Sequence, residues 1–294
     1  MAKFAKPAKQ ALSAIRQVQR SGNLKSVGTG RNYHQALTRA AEYASSERVP
    51  GGLHGLSREE AIRFLETRSQ VVGQKTLDLD RQAVQGFLRS IGKLQPPERL
   101  PVIRSEHAQA LQSRAYTKEQ VRRIASHQRE ANALATEIAY AAGLRAHELI
   151  TLQPAKERRA DSRPARNEKF LGRSGRRYVV IGKGGLTREV LLPTDLAERL
   201  ETLRLEMAVV VADRGVYYKQ HYKLPGGHSW SQSVTAASQR ALGWSTGAHG
   251  LRHTYAQQRM VELQSKGLLR SEALETVSQE LGHFRPEITE IYLR

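Results

Sequence analysis

Over the first hundred residues the apolar positions recur at helical spacing. Ala11, Leu12, Ile15, Val18 and Gln19 line one side of a segment whose other side is Lys and Arg, which predicts an amphipathic basic helix within residues 1–24. Thr29 is a candidate cap for a second helix with Tyr33, Leu37, Ala40, Ala41 and Ala44 on one face. Val49-Pro50-Gly51-Gly52 breaks the pattern. Ser57 followed by Glu60 has capping-box form and opens a helix with Ala61, Ile62, Phe64 and Leu65 inward. Residues 76–80 then lead into a short helix over Arg81–Leu88. Four or five short helices result, an all-α domain over residues 1–110.

Leu94-Gln95-Pro96-Pro97 and Pro101 make the next stretch poor in helix and plausible as a linker. A second domain, 115–294, opens with Thr117 and Gln120, another capping box, and a helix through Val121, Ile124 and His127. Glu130–Ala142 reads as an Ala-rich helix ended by Gly143. Tyr178–Ile181 and Thr187–Leu192 read as two strands joined by Gly182-Lys183-Gly184-Gly185. Thr194–Val211 is expected to return to helix, and Leu224-Pro225-Gly226-Gly227 to form a loop. The fold class is therefore mainly α, with one small antiparallel sheet.

Charge sharpens the picture. Lys and Arg number 47 against 28 Asp and Glu, a net +19 over 294 residues, which favours a polyanionic partner. Aromatic content of only 6% disfavours a base-stacking platform for single strands. Cysteine is absent, which removes disulfides, Cys-ligated zinc, iron–sulfur clusters and thiol nucleophiles. No apolar run approaches the ~18–20 residues that cross a bilayer, and Lys3, Lys6, Lys9, Arg16 and Arg20 interrupt any secretory h-region. The expectation is a soluble intracellular chain. No G-x-x-x-x-G-K-[ST] loop is present, and Gly28-x-Gly30 lacks a third glycine.

Five islands could carry chemistry. Arg145 and Glu148, in Gly143-Leu144-Arg145-Ala146-His147-Glu148-Leu149, stand three apart, as for an ordinary surface ion pair on one helical face. Lys183 stands on the glycine-rich turn. In His249-Gly250-Leu251-Arg252-His253-Thr254, His249 and Arg252 share a face and His253 lies one turn on. Two imidazoles four apart can hold zinc, but the glutamate of H-E-x-x-H is missing and no third ligand is evident. Leu281-Gly282-His283 is the fourth island, and Tyr292, nine positions beyond His283, is the fifth.

In this order the five islands resemble the signature of the tyrosine recombinases, the phage-integrase family. The motifs cover about residues 115–294; over 1–110 the likeness extends only to a basic domain of short helices. The resemblance implies a helical N-terminal DNA-binding domain and a mostly helical catalytic domain. It implies that Arg145 and Arg252 clamp a phosphate, with Glu148 and His253 in support and Lys183 or a hairpin neighbour as general acid. His249 and His283 would hydrogen-bond the phosphate or exchange a proton with Tyr292, the nucleophile. Guanidiniums suit the clamp because they bind oxyanions bidentately.

No cofactor, metal or ATP is implied. Duplex DNA is the implied partner, bound by a homodimer on a core site and a homotetramer in synapsis, with DNA-bending accessory proteins, in the cytoplasm at the nucleoid. Arg158, Arg159, Arg163, Arg166, Lys169, Arg173, Arg176 and Arg177, leading into the hairpin, are expected DNA contacts or else a solvated loop. Only Leu293 and Arg294 follow Tyr292, where the family usually continues with a segment that docks on the next protomer. Altered protomer contacts are therefore expected. A type IB topoisomerase and a non-catalytic DNA-binding accessory protein are the alternatives.

Overall fold

The computed structural model describes residues 5–22, 24, 27–107, 112–163 and 165–294. The chain divides into two compact units, Met1–Ala110 and Leu111–Arg294. Residues 1–4, 23, 25–26, 108–111 and 164 lie outside the described residues, residue 110, the expected end of the first domain, among them.

The first unit is built from α1 (Pro7–Arg20), α2 (Val27–Ser46), α3 (Arg58–Ser69) and α4 (Gln74–Ser90), with a single 3-10 turn at Gly52–Gly55. Ala11, Ala14, Ile15 and Val18 of α1 pack against Ala36, Leu37, Ala40, Ala41 and Ala44 of α2 and against Val84, Phe87 and Leu88 of α4. Leu12 and Gln19, expected on the apolar side, face solvent instead; Ala14 fills that side. Thr29 is not the cap of α2, because the helix already runs from Val27. Likewise α4 starts at Gln74, seven residues before the expected Arg81. The box at Ser57 forms: its hydroxyl accepts from the Glu60 amide and Glu60 accepts from the Ser57 amide. The proline-rich stretch has no helix, yet Leu94 and Leu100 are buried in this core, so it is more than a tether.

The second unit begins with α5 (Lys118–Ser126), boxed by Thr117 and Gln120, and α6 (Glu130–Ala142), closed by Gly143 at φ +60°. A Cβ at Gly143 would come within 2.7 Å of the Tyr255 ring, so both backbone and packing require glycine there. A three-stranded antiparallel sheet follows, β1 (Gln153–Pro154), β2 (Arg176–Ile181) and β3 (Thr187–Leu192). Its hairpin register pairs Ile181 with Thr187 across the glycine-rich turn. Then come α7 (Thr194–Glu201), β4 (Arg204–Asp213), β5 (Val216–Tyr222), α8 (Gly227–Leu242), α9 (His249–Ser265), α10 (Arg270–Glu280) and α11 (Pro286–Thr289).

The helix expected over Thr194–Val211 stops at Glu201, and a second antiparallel hairpin replaces its remainder. Leu196, Ala197, Leu200 and Leu203 keep helical spacing up to the break, which hides it. The β-branched run Val209-Val210-Val211 favours strand. Arg214 and Gly215, at φ +51° and +77°, form the two-residue turn whose twist suits a hairpin. Tyr222 anchors this hairpin in the core, its hydroxyl donating to Glu201 at 2.9 Å.

Candidate functional site

The turn after α6 carries the first group. Arg145 and Glu148 do pair, but in a non-helical turn and in the interior. Arg145 donates from its amide and from Nη1 to the two Glu148 oxygens, each at 2.8 Å. Arg188 of β3 donates to Glu148 Oε2 at 2.7 Å, and Arg252 Nη1 lies 3.9 Å from the same oxygen. One wholly buried carboxylate thus faces three guanidiniums. Burial opposes its ionisation, but Arg188, Arg252 and Arg145 outweigh that and hold it well below the usual carboxylate range.

Arg252, also wholly buried, is fixed from both sides. It donates to the carbonyls of Gly143 and Leu281, and its Nη2 lies 3.1 Å from His283 Nε2. Burial, then Arg145, lower its guanidinium to about 9 against the pull of Glu148, so it stays charged at neutral pH. Gly282, at φ +71°, is a steric requirement: a Cβ there would lie 2.6 Å from Arg188 Cδ. Arg188 continues past it to donate to the Glu280 carbonyl at 2.6 Å.

The second group comes from α9 and the 3-10 turn Glu290–Leu293. Tyr292, only 8% exposed, inserts against α9 with its hydroxyl 3.1 Å from His249 Nε2. Its ring centroid lies 5.3 Å from His249, 4.6 Å from His253 and 5.0 Å from His283, and Arg252 Cζ is 5.7 Å away. His283 is oriented by Thr289, with Nδ1 and Oγ1 3.1 Å apart. Burial, followed by Arg252 and Arg145, lowers the His283 imidazole to about 3; burial and Arg114 lower His253 to about 4. His249, the most exposed of the three, is lowered too, by desolvation and by Arg252. All three imidazoles are therefore neutral at neutral pH, each with one donor and one acceptor nitrogen.

Lys183 stands apart from this cluster. It is exposed in the β2–β3 turn and makes no ion pair or hydrogen bond among the described residues. The hairpin is nonetheless rooted at the site: a Cβ on Gly182 would lie 3.3 Å from Glu148 Oε1 and 3.9 Å from Arg145 Nη1. Among the described residues no group of three or more His, Cys, Asp or Glu is placed to hold a metal ion.

The basic run before the hairpin is largely tied down. Arg166 reaches Glu168, Glu272 and Glu275, and Arg173 makes a two-pronged pair with Glu262 at 2.8 Å while lying over the Tyr255 ring. Lys169 and Arg177 flank Glu189, Arg176 pairs with Glu198, Arg158 donates to Thr187 Oγ1, and Arg163 lies over the Phe284 ring. Arg159 alone of the eight is exposed without a partner among the described residues.

Two residues of the cluster escaped sequence reading. Arg188 shares the inward face of β3 with Val190 and Leu192, and a charge on the buried side of a period-2 pattern was the available signal. Gln257, one turn beyond His253, donates to the Tyr292 carbonyl and had no such signal.

Neither a protein-family model nor a curated protein matches the sequence. Solved structures do match over nearly the whole chain. The XerH site-specific recombinase, in a post-cleavage complex with a palindromic difH substrate, is 16% identical at a TM-score of 0.58, covering 100% of this chain and 94% of that one. A lambda integrase dimer bound to a COC′ core site is 15% identical at 0.60, covering 97% and 95%. The Tn1549 transposon integrase with circular intermediate DNA is 14% identical at 0.54, covering 99% and 96%. The chain has the fold of the tyrosine recombinases. Its five sequence islands lie within the unit that holds the arginine–imidazole–tyrosine cluster, and four of the five meet in that cluster. The fold departs from expectation in its second hairpin, β4–β5.

Proposed function

We propose that this chain is a site-specific DNA recombinase that cuts and rejoins duplex DNA through a phosphotyrosyl link to Tyr292. The observation that carries the reading is the single cluster in which the Tyr292 hydroxyl meets a neutral imidazole beside Arg252, itself joined through Glu148 to Arg145. Arg145 and Arg252 hold the nonbridging oxygens of the scissile phosphate and balance the charge that grows on them. Tyr292 Oη attacks phosphorus while its proton passes to His249 or to water. The bond from phosphorus to the 5′-oxygen breaks, and the departing oxygen takes a proton from Lys183. The incoming phosphate raises the proton affinity of His249 and His283 as the proton arrives. A 5′-hydroxyl of a second strand then reverses the step. The phosphotyrosyl bond preserves the energy of the phosphodiester, so no ATP is needed.

Residues 1–110 act as the DNA-binding domain of this reading and 115–294 as the catalytic domain. Similarity to integrases in complex with DNA, including a lambda integrase tetramer on a Holliday junction, supports dimers on core sites, a synaptic tetramer and integration or excision of a mobile element. DNA-bending accessory proteins and action at the nucleoid in the cytoplasm belong to the same proposal. Among the described residues no helix is long and apolar enough to cross a membrane.

The test is covalent capture on a nicked suicide duplex drawn from DNA flanking the gene, with EDTA present. An SDS-resistant adduct is expected, lost in Tyr292→Phe. Tight binding without an adduct would overturn the reading and leave a DNA-binding protein of this fold.

A further inference from the structure

His249, His253 and Gln257 are spaced four apart and form one stripe along α9. All three meet the same residue. His249 takes the Tyr292 hydroxyl, His253 packs against its ring, and Gln257 takes its main chain. The Gln257 Nε2 faces two main-chain oxygens, the carbonyl of Tyr292 and an oxygen of Arg294, each at 3.1 Å. Two acceptors on one side settle which end of the amide is nitrogen, and its two hydrogens serve both.

The turn it holds is weak on its own. Glu290–Leu293 is a single 3-10 turn, and its last carbonyls have no partner within the turn. At its start Arg270 and Glu290 pair in two-pronged fashion at 2.7 and 2.8 Å, which ties the first residue of the turn to α10 but leaves its far end to other groups. The phenol oxygen stands at the far end of a long rigid side chain, so a small tilt of the main chain displaces it strongly. Reaction rates respond steeply to such displacement.

We propose that Gln257 is a positioning residue for the nucleophile: its amide caps the turn that carries Tyr292 and holds the phenol oxygen in line for attack. This rests on the phosphotyrosyl reading above. Among the described residues Gln257 makes no hydrogen bond to Arg145, Arg252 or Lys183, so it acts on attack and not on DNA affinity or on departure of the 5′-oxygen.

The experiment measures single-turnover cleavage by the full chain on a saturating suicide duplex, beside the DNA dissociation constant. Gln257→Leu removes the donors, and Gln257→Glu keeps the size but presents only acceptors, so one covers for the other should either fold poorly. Both are expected to cleave about ten- to a hundredfold more slowly, the scale of a misplacement near 1 Å, with affinity within about twofold of wild type. A second substrate carries sulfur in place of the scissile 5′-oxygen, a leaving group that needs little protonation. The slowing should persist there, whereas the defect of Lys183→Ala should shrink. Wild-type rates in both variants would overturn the proposal, as would slowing that vanishes on the sulfur substrate or a loss confined to affinity. Absence of an adduct with the wild-type chain would overturn the phosphotyrosyl reading and this proposal together.

Discussion

Glu148 sets the electrostatics of the cluster at the level of single residues. Its one negative charge faces Arg145, Arg188 and Arg252, leaving two positive charges uncompensated within the protein. Arg188 Nε and Arg252 Nε are buried without a hydrogen-bond partner among the described residues. Arg188 has the most to say about assembly, because it joins Glu148, the holder of Arg145, to the Glu280 carbonyl next to Leu281, a holder of Arg252. Its guanidinium is only 2% exposed, and Arg188→Met removes its bonds to Glu148 and to the Glu280 carbonyl while Arg145 and Arg252 still face Glu148, so it should cost about 1.5–3 kcal/mol of stability. Urea unfolding measures this. The double variant Glu148→Gln, Arg188→Met should lose less than the sum of the singles, since both singles break the same Arg188–Glu148 bond. Strict additivity would mean the two residues do not act as a pair.

The basic segment between β1 and β2 behaves as an element with divided duties. Arg166 and Arg173 bind it to the carboxylates of α9 and α10, while Arg159 is exposed and unpartnered among the described residues. Arg159→Ala should therefore weaken DNA binding and flatten the log–log salt dependence by about 0.9, one phosphate's share, without lowering the melting temperature. Arg173→Ala should do the reverse. Equal salt slopes in wild type and Arg159→Ala would remove this residue from the interface. The same segment shows what a sequence can and cannot reveal. Its charge was legible, and so were the boxes at Thr117 and Ser57, the Gly143 stop and the β2–β3 hairpin, because each is written within a few adjacent residues. Whether a given arginine meets solvent or Glu262 is decided by a residue 89 positions away. The β4–β5 hairpin was missed for the opposite reason, since a local helical spacing ran straight into it. Glu148, Arg188 and Gln257 form their contacts across 40 and 35 positions, which no local pattern reports.

Over the whole molecule, these buried groups make the fold sensitive to acid. His253 and His283 have folded values near 4 and 3, below the ~6.5 of an unfolded imidazole, so the unfolded chain takes up protons first as pH falls. Their contribution is fully present above pH ~6.5 and is lost progressively toward their folded values. Glu148 acts in the same direction lower down: its carboxylate stays ionised in the fold while an unfolded one protonates below about 4.3. The melting temperature should thus fall steadily from pH 7 to pH 4, and His283→Gln should reduce that slope even if it melts lower at pH 7. A phosphate against the cluster raises both imidazoles and narrows their gap to the unfolded value. Bound duplex should therefore soften the acid loss, and affinity should rise as pH falls toward the folded values near 4 and 3, because binding draws in protons there. Thermal melts of the free and DNA-bound chain across this range test both linkages. A flat profile for the free chain would show that the imidazoles are not held neutral by the fold, and identical slopes with and without DNA would show that no phosphate reaches them.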